Sequence, residues 1–217
     1  MLDVHFVILG AVLSLLGEAF YIRDTLAGRT RPNRVTWLLW GVAPMLAFAG
    51  EVKAGVGLRA LMAFSVGLGP LLVFAASFVN RGAVWRISRL DWACGVLSVA
   101  GTVVWLTSRQ GMVAIGAAIG ADALAAVPTL RKSWREPESE SANAYWGSLA
   151  NAVITLLTVT AVTAAVVTFP LYIALVTGIE VSLVAGRIGP RLARRRQPDG
   201  SLTPAPAPSR APGSSDR

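Results

Sequence analysis

The 217-residue chain has one cysteine, one histidine and few charges. Cys94 alone cannot close an intrachain disulfide, and no Cys/His spacing suited to a metal is present. With His5 as the single histidine, most His-based catalysis and any multi-His site are excluded. There is no G-x-S-x-G elbow, Walker loop or G-x-G-x-x-G phosphate loop. Gly67-Leu68-Gly69-Pro70 lies inside an apolar run, where a helix kink accounts for it more simply. Charged residues make up 15% of the chain, against about 25% in soluble domains. Together these shortages argue against a soluble enzyme and call for neither a cofactor nor a metal.

What the chain does have is apolar length. Hydrophobic residues make up 54%, and the mean hydropathy is +0.58. A transmembrane helix takes about 20 mostly apolar residues to cross roughly 30 Å of hydrocarbon. Val4–Ile22 is the first such run, with neither the basic start nor the small-residue cleavage site of a removed signal. The apolar stretch from Val35 to Val79 is broken at Glu51–Gly57, which predicts helices near 35–52 and 58–79. A basic connector, Asn80 to Asp91, leads to Trp92–Val127, which Ser108–Gly111 splits in two. After a polar segment, Leu130–Asn143, the stretch Ala144–Gly186 contains one ionisable group, Glu180, and is long enough for two more helices. Their turn is expected near 162–169, with Pro170 in the first turn of the seventh helix. The expectation is an all-α membrane protein with seven spans.

The 20 Lys and Arg against 12 Asp and Glu give a net charge of +8 and a pI near 11.0. On a soluble fold such an excess would suggest nucleic acid. Here seventeen of the twenty lie in the first, third and fifth loops and the C-terminal segment, and only Lys53, Arg59 and Arg109 lie on the opposite side. Lys/Arg-rich short loops stay cytoplasmic, which predicts an outside N-terminus, a cytoplasmic C-terminus and an odd number of spans. The partners expected are therefore the lipid bilayer, with anionic headgroups at the polybasic segment after the last helix, and no nucleic acid. A homo-oligomer is compatible with this reading.

The first and fifth loops resemble each other. Tyr21-Ile22-Arg23-Asp24-Thr25-Leu26 leads through Arg29–Arg34 to Val35-Thr36-Trp37, and Pro128-Thr129-Leu130-Arg131-Lys132-Ser133 leads through Glu138–Asn143 to Ala144-Tyr145-Trp146. Two three-helix units can share an orientation only if one extra crossing separates them, giving a 3+1+3 order. On these loops and this order the chain resembles the PQ-loop superfamily, which includes the SWEET and semiSWEET sugar transporters, although neither loop carries a literal Pro-Gln. The resemblance implies two parallel three-helix repeats joined by a linker helix. The first bundle would span residues 1–80, the basic loop and fourth helix 81–109, the second bundle 110–190, and a basic, Pro/Ser-rich disordered cytoplasmic tail 191–217. It also implies flexing prolines, for which Pro44 and Pro128 are the matching positions. The Asn that SWEETs carry in the third helix of each triple has no counterpart well inside the third or seventh helix.

Polar groups at bilayer depth usually face a bundle interior or a watery cavity. Glu18, Asp122 and Glu180 qualify. On the expected spans, Asp122 and Glu180 lie roughly 4–5 Å and Glu18 roughly 7–8 Å past their helix centres, all toward the cytoplasm and without an intramembrane Lys or Arg to pair with. They are candidates for proton coupling or a cation pathway, and the alternative is a protonated structural carboxyl. Asn151, near the midpoint of the sixth helix, and Thr155, one turn on, are candidate substrate contacts, with interhelical hydrogen bonding as the competing role. Trp37, Trp40 and Trp146 are candidates for gate or pocket aromatics, or for headgroup anchors. Pro44, Pro70 and Pro128 kink their helices, Gly116-x-x-x-Gly120 permits close packing, and Cys94 and His5 suit a packing thiol and a surface residue. The function expected is alternating-access transport of a small polar solute such as a sugar, amino acid or vitamin-like compound, with proton coupling an option. The rival is a non-transporting membrane receptor or assembly partner.

Overall fold

A computed structural model describes residues 2–53, 55–80, 85–108, 111–160 and 162–196. Residues 197–217, most of the expected tail, lie outside the described residues. The described chain is all helical: α1 Phe6–Leu26, α2 Arg34–Lys53, α3 Ala60–Ala76, α4 Arg89–Thr107, α5 Gly111–Arg135, α6 Ala142–Leu157, α7 Ala164–Val184 and α8 Ile188–Arg196, with short 3-10 turns at Gly57–Arg59 and Pro137–Ser139. Among the described residues five helices are long and apolar enough to cross a membrane: Phe6–Leu26, Arg34–Lys53, Gly57–Ala76, Arg89–Thr107 and Val166–Val184. With 16 residues, α6 is about 24 Å long at about 1.5 Å per residue, short of a hydrocarbon core of roughly 30 Å.

Several boundaries differ from the sequence expectation, each for a local reason. Asp91 belongs to α4, because Ser88 and Asp91 form a capping box: the Asp91 amide donates to Ser88 Oγ, and the Asp91 carboxylate accepts from the Ser88 amide. The first turn of α2 is capped by Asn33, whose Oδ1 accepts from the amides of Val35 (3.1 Å) and Thr36 (3.4 Å). Leu130–Arg135, expected in a polar loop, continues α5; Lys132 and Arg135 lie in its last turn, where cations complement the helix dipole. Because α7 starts at Ala164, Pro170 falls inside it rather than in its first turn. Arg191–Arg196, assigned to a disordered tail, forms the second half of α8.

The interior mixes apolar clusters with many polar side chains while the outer surface is strongly apolar, unlike a soluble globule. Ser14, Glu18, Thr36, Ser65, Asn151 and Glu180 are buried, whereas Ile8, Leu9, Val12, Leu16 and Phe20 of α1 and Trp92, Val96, Val99 and Val103 of α4 are exposed. Apolar exposure on that scale needs covering, and a bilayer supplies it.

Helix α3 packs against both α1 and α2, and α7 against both α5 and α6. Between these groups α1 packs on α6 and α2 on α5, while α4 lies against α2 and α5. The α1–α6 approach is close: a Cβ added to Gly147 would stand 2.5 Å from the Leu13 carbonyl oxygen and 3.0 Å from Ser14 Cα. Hydrogen bonds define two ends. At one, Arg31 N donates to the Ser139 carbonyl (2.9 Å), Asn33 Nδ2 to Asp91 (2.7 Å) and Asn80 Nδ2 to the Leu26 carbonyl (3.2 Å), so the loops after α1, α3 and α5 meet in a basic end. At the other, Leu2 N donates to the Leu157 carbonyl (2.9 Å), which brings the N-terminus to the end of α6.

Candidate functional site

A cavity of about 40 Å³ lies at the centre of the bundle. Its wall comes from every long helix except α4: Glu18 of α1, Trp37 and Trp40 of α2, Val66 and Pro70 of α3, Asp122 of α5, Tyr145 and Ser148 of α6, and Thr177 and Glu180 of α7. The three acids singled out by sequence therefore share one chamber. A water needs roughly 10–15 Å³ of such space, so the chamber holds a few waters in this conformation.

The acids differ in depth and partners. The further reach of α1 and α5 and the earlier start of α7 revise the expected depths: Glu18 falls about 3 Å and Glu180 about 9 Å past the middle of its helix toward the basic end, with Asp122 near the middle of α5. Asp122 accepts a hydrogen bond from the Tyr172 hydroxyl at 2.7 Å. Glu18 Oε2 has no hydrogen-bond partner, and the polar neighbour of the Glu180 carboxylate is the Ser133 hydroxyl, although both acids are buried. Glu18 sits where a Cβ on Gly69 would strike its Cγ, so Gly69 makes room for this carboxyl.

Aromatic rings form the other side. Trp37 packs edge-on against Trp40 (centroids 5.7 Å apart) and stacks with Tyr145 (6.4 Å), and Tyr21 tilts against it at 4.6 Å. The Trp40 indole N–H has no acceptor, whereas the Trp37 indole interacts with the Tyr21 hydroxyl.

Toward the basic end the chamber is sealed by residues that the sequence reading left in a charged loop. Glu140 Oε2 accepts from the hydroxyls of Tyr21 (2.6 Å) and Tyr145 (2.9 Å), and Glu140 Oε1 pairs with Lys132 Nζ. Lys132 also donates to the Arg31 carbonyl at 2.6 Å, and Arg31 pairs with Glu136 at 3.0 Å. Both side chains of the Lys132–Glu140 pair are fully buried. The expectation that no cation reaches this region is thus corrected: because α5 runs on to Arg135, Lys132 is carried inside, where it acts electrostatically on Glu180 while pairing with Glu140. The available signal was the run Glu136, Glu138, Glu140, three acids in an otherwise basic loop set.

Toward the other end lies a vestibule of about 370 Å³, lined by Pro44 and Glu51 of α2, Val56, Thr102 and Trp105 of α4, Asp122, and Phe169 of α7. Asp122 belongs to both spaces and forms the wall between them.

The other sequence candidates are distributed unevenly. Trp37 is 1% exposed and lines the chamber, whereas Trp146 is 54% exposed and faces outward; its neighbour Tyr145 takes the inward position. Asn151 is buried, but beside the chamber: its Nδ2 donates to Ser65 Oγ at 3.0 Å, joining α6 to α3. Thr155 is buried next to it, with no partner for its hydroxyl. Pro44 borders the vestibule, and Pro128 borders a groove between the start of α4 and the end of α5. Cys94 is buried with a free thiol, and the exposed His5 pairs with Asp3. A double-mutant cycle of Asn151→Ala with Ser65→Ala is expected to give a coupling of about 0.6 kcal/mol, typical of interhelical bonds in membranes; zero coupling in unfolding measurements would reject that bond.

No family model matches the chain, and no curated protein or solved structure is significantly similar to it.

Proposed function

We propose that this chain is a PQ-loop-type membrane transporter that moves a small polar solute by alternating access. In this reading α1–α3 and α5–α7 are the two parallel repeats and α4 is the linker. The N-terminus is outside and the basic end faces the cytoplasm of a bacterial cell, whose plasma membrane holds the protein. The packing supports such a repeat: α3 touches both helices of its group, α7 does likewise, and the groups exchange equivalent partners through α1–α6 and α2–α5.

The observation that carries the proposal is the arrangement of spaces along the bundle. A roomy vestibule toward one end, a small central chamber lined by three acids, and a hydrogen-bonded seal at the basic end are the three parts, with Asp122 lining the first two. A protein that only scaffolds others has no need of buried, unpaired carboxyls around a central space, which cost stability. Rocking the groups about α1–α6 and α2–α5 would break the Glu140 seal and close the vestibule.

Reconstitution into liposomes, with uptake screened over sugars, amino acids and vitamin precursors, tests the reading. Uptake above that of empty liposomes is expected; its absence for every solute class would favour a receptor or assembly role. Proton coupling gives a sharper result. Uptake should change with the pH of the outside medium, and Asp122→Asn should flatten that dependence. An unaltered pH profile in a correctly folded Asp122→Asn protein would remove Asp122 from the coupling.

A further inference from the structure

We infer that the central chamber is built for a positively charged organic solute, one bearing an ammonium group, so the cargo of the proposed transporter is a small organic cation. This rests on the transport reading only for the word cargo; the binding site stands on its own geometry.

The first argument is charge. Glu18, Asp122 and Glu180 line one space, and its lining contains no Lys, Arg or His. The nearest buried cation, Lys132, is engaged by Glu140 and the Arg31 carbonyl. Glu18 offers one unpartnered oxygen, and Glu180 a carboxylate whose neighbour is the Ser133 hydroxyl, both buried. Carboxylates in such a place must meet a counter-charge or remain protonated. A bound cation provides that counter-charge; a neutral sugar does not.

The second argument is shape. Among the described residues no three acidic, His or Cys side chains approach closely enough to hold a metal ion, so the carboxyls surround a volume rather than a point. Three aromatic rings share the wall with aliphatic and hydroxyl side chains: Trp37, Trp40 and Tyr145 stand within 5.7–6.5 Å of one another. Rings of this kind bind ammonium groups through their π-faces, Trp most strongly. The Trp40 indole N–H, which has no acceptor, is a donor for an oxygen on the same ligand. The vestibule that shares Asp122 with the chamber also holds Glu51, Trp105 and Phe169.

Choline, which carries a quaternary ammonium and a hydroxyl, is a suitable probe, and 3,3-dimethyl-1-butanol is its uncharged isostere. Equilibrium binding of labelled choline to the full-length protein in detergent is expected to be saturable, with the isostere at least about tenfold weaker as a competitor. Glu180→Gln and Trp40→Leu should each weaken choline binding by about tenfold or more while the thermal melt stays close to that of the parent. Trp146→Leu, on the outer surface, should leave binding unchanged. Equal competition by choline and its isostere, or no saturable choline binding by protein with an intact melt, would overturn the inference. Proteoliposome uptake separates the two claims. Choline binding without uptake of any solute would keep the site and end the transport reading. Uptake of a sugar without choline binding would keep transport and end the cation site.

Discussion

Lys132→Met is expected to lower the stability of the folded protein by about 3–5 kcal/mol, the usual cost of removing one partner from a fully buried ion pair. The Lys132 and Glu140 side chains are both fully buried. Removing the ammonium leaves a carboxylate whose remaining contacts are two tyrosine hydroxyls, from Tyr21 and Tyr145. It also leaves the Arg31 carbonyl without its 2.6 Å donor. The companion variant makes the result diagnostic. Adding Glu140→Gln removes the stranded charge yet keeps a side-chain oxygen for both hydroxyls, so the double variant should recover most of the loss. Unfolding in mixed detergent micelles measures both. A Lys132→Met protein within about 1 kcal/mol of the parent would mean that the pair is solvated, and it would no longer be a seal for the chamber.

Gly147→Val is expected to be nearly as damaging, at about 3 kcal/mol or more, the upper range for forcing atoms into a filled interface. The new Cβ would meet the Leu13 carbonyl oxygen at 2.5 Å and Ser14 Cα at 3.0 Å, both backbone atoms of α1. No rotamer change relieves a clash with backbone, so α1 and α6 must separate. That separation would also break the Ser14–Ser148 contact (3.4 Å) one helix position along. The thermal melt of the purified protein should fall, and any uptake activity should be lost with it. A melt within a degree or so of the parent would show that α1 and α6 can part freely, so that Gly147 fixes nothing.

Both residues bear on what the sequence made readable. Long apolar runs were enough to locate the helices α1–α7, although five of the described helices, not seven, are long and apolar enough to cross a bilayer. The acids were equally plain: charges are so rare in these runs that Glu18, Asp122 and Glu180 stand out, and all three line the same chamber. Lys132 and Glu140 were hidden because apolarity decided the helix ends, whereas α5 continues through polar residues that favour helix and stops before Pro137. The choice between Trp146 and Tyr145 is a matter of a single position, a rotation of about 100° on a helix of about 3.6 residues per turn. Hydropathy averaged over a span cannot resolve that rotation. Asn151 was rightly placed in the interior, but an amide pairs as readily with a neighbouring helix as with a solute, and its partner Ser65 lies 86 residues away in sequence.

The packing of α1 also sets a schedule for assembly during synthesis. Its contacts with α3 can form early, but the face that carries Ser14 and Gly17 is completed only by α6. The ribosome reaches α6 roughly a hundred residues after finishing α1, which at about 5–20 residues per second is on the order of 5–20 s. Throughout that interval a helix with polar and backbone-exposing positions waits in the membrane without its main partner. A chain that stalls or is cut before Ala142 would present this open face to the quality-control machinery of the cell. The protein's exposure to degradation is therefore set by the time its first helix must wait for its sixth.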